Sequence, residues 1–250
     1  MKYLFLTILF LVPSLSYGAF GDVLNTDVDS CTVGGGGTCN ITIPSTTSGS
    51  LLTAWGRGQG GGWTAVSDAT NGSWTTDLDI DACGEFANRN CTFAHFGNSG
   101  GSITTITITG EVFSSMYVTY VEFDAVTTLD ANATAMGSYG SPWTSNSVTP
   151  TASIDALLVG AAYSNEVSIT YTGSDSYTTR VSGNMDAGSA AQESKVVSGT
   201  SGSYTASGTV SAGGAHGALL IFKGAAGGAA TVPHIFFRGQ TIIRGQTIFR

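Results

Sequence analysis

Residues 91–110 read CTFAHFGNSGGSITTITITG. Ser99 lies in Gly97-Asn98-Ser99-Gly100-Gly101, a G-x-S-x-G string, and His95 stands four residues before it. These are residue types for acyl transfer, in which a serine needs a base within hydrogen-bond reach and a carboxylate to orient that base. The flanking sequence points elsewhere. No histidine precedes His95, and a strand-forming ITTITIT follows the serine where an α/β-hydrolase elbow requires a helix. The expectation is a hairpin turn whose glycines supply positive φ.

Three further groups could do chemistry. Asp77, Asp79 and Asp81 alternate in DLDIDACGE, so an extended chain would present all three on one face, with Glu85 near, as hard oxygen ligands for Ca²⁺. An EF-hand loop is excluded, because Ala82 and Asn88 occupy the positions that need glycine and glutamate. The competing reading is an acidic edge that discourages sheet-to-sheet pairing. No other cofactor is expected. Glu111 and Glu122 are strand-borne carboxylates of the kind that a glycosidase pairs across a bond, but no E-x-D-x-E pattern surrounds them. Exposed aromatic rings would stack on sugars. Of Trp55, Trp63, Trp74, Trp143 and Tyr139, at least one of Trp63 and Trp74 is expected in the core, whereas Trp143 and Tyr139, in the loop GSYGSPWTSNS, are the ligand candidates.

The elements that must position these residues are strands. Alternating runs such as MYVTYVEF (116–123), YTTRV (177–181) and HGALLIFK (216–223) are separated by GSDS, SGTSG and SAGGA, which is turn composition. MYVTYVEF puts Met116, Val118, Tyr120 and Glu122 on one face and Tyr117, Thr119, Val121 and Phe123 on the other. LLTAW (51–55) and GALLIF (217–222) lack polar alternation and read as mid-sheet strands buried on both faces. EVSITY (166–171) reads as another strand, and MDAGSAAQES (185–194) would allow one helical turn. The prediction is an all-β fold, an antiparallel jelly-roll-like sandwich over residues 19–224.

The first 18 residues predict a secretory signal. Lys2 precedes the apolar run Tyr3–Val12, and Ser16-Tyr17-Gly18 offers small residues for cleavage after Gly18. Secretion or display on a cell or virion surface is therefore expected, without membrane insertion after cleavage. Four cysteines, Cys31, Cys39, Cys83 and Cys91, fit an oxidising compartment. Three pairings are possible, and the two local ones, Cys31–Cys39 and Cys83–Cys91, are favoured. Zinc-type spacing is absent. Residues 19–224 hold five basic and all 17 acidic residues, a net charge of −12, which would repel nucleic acid.

The order LLTAWGRG, GGWTAVSDATNGSWT, NSGGSITTITITG, VTYVEFDAVTTLDANATAMGS, SVTPTASIDALLVGAAY, YTTRVSG and ESKVVSGTSGSYTASGTVSAGGAHGALLIFKG resembles a widespread domain of exported bacterial and phage proteins over about residues 40–224. The resemblance implies a β-sandwich in an extracellular or virion-surface setting and no catalytic residue.

After a Gly/Ala linker (225–233), residues 234–250 repeat R-G-Q-T-I-x, with three arginines and no acid. In an extended chain, Arg238, Arg244 and Arg250 would share one face while Phe237, Ile243 and Phe249 line the other. An apolar strand face of this kind needs a sheet edge, so pairing with a partner or with a second copy is expected. The functional expectation is a non-enzymatic exported surface or virion-associated structural protein, with a carbohydrate-binding or adhesin module as the alternative.

Overall fold

The computed structural model describes residues 19–33, 37–59, 62–80, 83, 89–110, 114–124, 127–132, 137–151, 155–185, 188–199, 202–224, 242–243 and 246–247. Among them every regular element is a strand and all pairings are antiparallel. No described helix is long and apolar enough to cross a membrane.

The first half of the body runs β1 (Asp22–Val33), β2 (Thr38–Thr42), β3 (Leu51–Gln59), β4 (Trp63–Asp68), β5 (Gly72–Ser73), β6 (Thr75–Ile80), β7 (Arg89–Gly97), β8 (Thr105–Gly110) and β9 (Ser114–Asp124). The second half runs β10 (Thr127–Asn132), β11 (Trp143–Thr144), β12 (Ala156–Ser164), β13 (Tyr171–Gly173), β14 (Thr178–Met185), β15 (Gly188–Val197), β16 (Ser207–Val210) and β17 (His216–Gly224). Each half alternates between a five-stranded inner sheet and a smaller outer one, the jelly-roll winding. The inner orders are β1-β9-β3-β7-β6 and β10-β17-β12-β15-β14, and the outer orders are β2-β8-β4-β5 and β11-β16-β13. Strand for strand, the second half repeats the first, lacking only a counterpart of the short β5.

The two inner sheets pack face to face, giving four layers and three cores. The central core joins Leu51, Trp55 and Phe93 of one inner sheet to Leu157, Leu220 and Phe222 of the other. Leu52, Ala54 and Val118 face the opposite way, against Trp63, Ile106 and Ile108 of the first outer sheet. Leu158, Leu219 and Ile221 likewise face Trp143, Tyr171 and Val210 of the second. This is why LLTAW and GALLIF show no polar alternation, and why all nine residues of β12 are buried. The two faces read from MYVTYVEF serve two different cores.

Two local readings differ. Residues 188–197 form β15, with no helical turn: Ala190, Ala191 and Gln192 are sandwiched between layers, and burial on both faces overrides the helix propensity of alanine and glutamine. Only Tyr171 of EVSITY joins a strand. Ile103 lies ahead of β8 and shares a core with Ile106 and Ile108.

Several polar side chains bond across the central interface. Gln192 Nε2 donates to Thr119 O (2.7 Å), Thr53 Oγ1 lies 2.9 Å from Gln192 Oε1, and Trp55 Nε1 donates to Ala162 O at 3.0 Å. The buried Arg57 guanidinium donates to the Tyr163 hydroxyl, between the Tyr117 and Tyr163 rings. Cys31–Cys39 ties β1 to β2, and Cys83–Cys91 holds the segment after β6 to β7. Both local disulfides form, which fits an oxidising, extracellular environment.

A side chain at Gly56, in the middle strand of its sheet, would collide with the Tyr117 carbonyl oxygen and press on the Trp63 indole. Gly56→Ala should therefore force β3 and β9 apart and lower stability by about 3 kcal/mol, measured by urea denaturation; an unchanged midpoint would contradict this packing.

Candidate functional site

GNSGG is a turn. Asn98 (φ 78°) and Gly101 (φ 78°) adopt the left-handed conformation. Ser99 N–H donates to Ser50 O (2.8 Å), and its Oγ accepts the Gly101 N–H (3.1 Å). Ser99 is buried. The His95 imidazole is bound elsewhere: Nδ1 lies 2.6 Å from Asp77 Oδ2, and the ring meets Phe222 of the opposite sheet edge-on, with centroids 5.1 Å apart. The pair thus clamps β6 to β7 and β7 to β17. Burial pushes the Asp77 carboxyl above its ordinary value, partly offset by His95.

The carboxylate row expected on one face is split. A bulge between Thr76 and Leu78 sends Asp77 inward to His95, while Asp79 stays exposed and Asp81 lies outside the described residues. Among the described residues no three His, Cys, Asp or Glu side chains gather as metal ligands. Glu122 is fully buried, its Oε1 accepting Thr47 N–H and its Oε2 accepting Asn25 Nδ2, each at 2.6 Å. It anchors the loop before β3 to β1. Glu111 lies outside the described residues.

The aromatic candidates are corrected too. Trp143 belongs to β11 and is 1% exposed in the third core, so its face is closed to a sugar. Tyr139 is half-buried, its ring 5.2 Å from His216 and its hydroxyl accepting Gly214 N–H (3.2 Å). Trp63 and Trp74 are both buried. Trp74 Nε1 donates to Asp68 Oδ2 (2.7 Å), while Asp68 Oδ1 accepts the N–H groups of Thr70 and Asn71. Asp68 therefore organises the whole WTAVSDATNGSWT hairpin.

In the tail, β18 (Ile242–Ile243) and β19 (Gln246–Thr247) pair with Ile243 opposite Gln246. Phe237, Arg238, Arg244, Phe249 and Arg250 lie outside the described residues.

A feature that the sequence reading missed lies where the start of β1 meets β14 and β15. An open cleft of about 500 Å³ is lined by Asp22, Asp175, Thr178, Arg180, Lys195 and Val196, among others. Arg180 sits at a bulge between Thr179 and Val181, and its Nε donates to Ser194 Oγ at 2.8 Å. Lys195 Nζ donates to Asp175 O (3.1 Å) over the Tyr177 ring, 4.2 Å from its centroid. Two residues before Lys195 on β15, Glu193 is 3% exposed, and burial pushes its carboxyl up to about 8, with Lys195 opposing.

The bulge recurs at the matching place in each half. Trp74-Thr75-Thr76-Asp77-Leu78 corresponds to Tyr177-Thr178-Thr179-Arg180-Val181, and Thr75↔His95 pairs as Thr178↔Ser194 does. Asp77 on His95 in one half thus matches Arg180 on Ser194 in the other. W-T-T-D-L against Y-T-T-R-V was the available signal, too short to register without strand order. No protein-family model, curated protein or solved structure matches this chain.

Glu193 holds its proton more tightly folded than unfolded, so its contribution to stability is full below the ordinary glutamate range and is lost as pH rises through about 8. Denaturation between pH 5 and 8.5 should show stability falling by up to about 1.4 kcal/mol per pH unit from this group. Glu193→Gln should flatten that slope; a variant with the same slope would show that another group titrates.

Proposed function

We propose that this chain is an exported structural or interaction protein of a cell or virion surface, which acts by binding and not by catalysis. The observation that carries this reading is the placement of its reactive residue types. Ser99 holds a turn, His95 and Asp77 clamp two layers, Glu122 anchors a loop and Asp68 organises a hairpin. Two disulfides and the predicted signal segment support an exported setting. Jelly rolls occur in capsid and lectin domains, an analogy of fold alone.

The basic tail and the −12 body support assembly, because a tail carrying three arginines and an apolar repeat would dock on an acidic neighbour. Light scattering on the full chain and on one ending at Gly224 tests this. The full chain should gain mass with concentration and the shorter chain should not; equal behaviour at every concentration would refute tail-driven assembly. The cleft beside β14 favours a second reading, an adhesin or carbohydrate-binding module.

A further inference from the structure

The first outer sheet, β2-β8-β4-β5, turns one face to the core and the other to solvent. In its inner strand β8, Ile106 and Ile108 point into the core, so Thr105, Thr107 and Thr109 point outward. β2 sets Thr42, Asn40 and Thr38 opposite them in the same order, and β4 sets Ser67 beside Thr107. The result is a grid of hydroxyl and amide groups, about 4.8 Å apart between strands and about 6.8 Å apart along them. Within it, Thr107 Oγ1 donates to Asn40 Oδ1 at 2.9 Å. None of these positions carries an ionisable group or a ring, in a body of net charge −12. The equivalent sheet of the second half breaks the pattern: Thr172 stands opposite Thr209, but Ser207, two residues along, is buried and donates to Asp175.

The make-up of this face selects its ligand. A protein partner would be met by aromatic and arginine side chains, a nucleic acid by cations, and a sugar by an exposed ring; the grid offers none of these. Its distinguishing property is an uncharged repeat in two directions, which a soluble ligand has no use for and a neutral lattice matches. Ice presents such a lattice, with oxygens at spacings close to both of these repeats. Each threonine hydroxyl both donates and accepts, so it can stand in for a lattice water, and its methyl can fill the hollow beside it. The grid is held ready for this. Threonine is stiff at χ1, Ile41, Ile106 and Ile108 pack its underside against Trp63, and Cys31–Cys39 pins β2, so little ordering entropy remains to be lost on binding.

We propose that the outer face of β2, β8 and β4 binds ice, with Thr105, Thr107 and Thr109 at its centre. Neighbouring strands twist by about 20–25°, so the match is best around Thr107 and decays outward. The expected effect is therefore restraint of ice recrystallisation. The proposal goes beyond the structural-protein reading and is independent of the tail and of the cleft beside β14.

The test follows the growth of ice grains by microscopy in frozen solutions of the full chain, of Thr107→Tyr and of Thr209→Tyr. Tyrosine keeps the strand propensity at either position, but at 107 its ring stands above the grid, whereas Thr209 lies on the other outer sheet. The wild type and Thr209→Tyr should restrain grain growth at equal concentration, and Thr107→Tyr should need at least tenfold more protein with its melting temperature retained. No restraint by the wild type, restraint by Thr107→Tyr equal to wild type, or the same loss in both variants would overturn the proposal. Should Thr107→Tyr lose its fold, Thr105→Tyr, at the exposed end of β8, decides instead: weakened restraint supports the face and unchanged restraint overturns it. Sedimentation with microcrystalline cellulose or chitin, without any effect on ice, would give the grid to a crystalline glycan and overturn the assignment to ice. Neither result bears on tail-driven assembly, which light scattering reads separately.

Discussion

Two five-stranded sheets lie back to back here with almost no face left for water, and every other feature answers to that. A strand between two cores must be apolar on both sides, and its few polar groups must find partners inside the protein, because an unsatisfied buried group costs about 1–3 kcal/mol. Gln192, between Thr53 and Thr119, meets that demand by bonding both ways across the interface. Gly56 meets a steric version of it, since no side chain fits between Trp63 and the Tyr117 carbonyl.

The same constraint explains why groups that look reactive in the sequence hold the fold together. A carboxylate can be buried when it accepts two or more hydrogen bonds. Glu122 and Asp68 do so, and each ties a loop to a strand. The His95–Asp77 pair closes the interface against Phe222. Glu193 is the exception: it stays buried with its pKa raised.

Duplication of the winding supplies the asymmetry. The bulge in β6 and the bulge in β14 occupy equivalent places, yet one turns a carboxylate inward under an aromatic ring and the other presents a guanidinium to solvent.

The amino-acid sequence by itself determined the strand class, the two-face burial of β3 and β17, the two local disulfides and the turn at Ser99, because these follow from side-chain alternation and from contacts within about ten residues. Trp143 looked like a loop ring, and Asp77 and Asp79 looked like one face, since nothing local reports that a second outer sheet covers β12 and β17 or that a bulge shifts the parity. The pairing of the inner sheets and the doubled jelly roll were decided only by the tertiary structure. They join β1 to β14 and β9 to β15, segments far apart along the chain whose contact no short-range periodicity encodes.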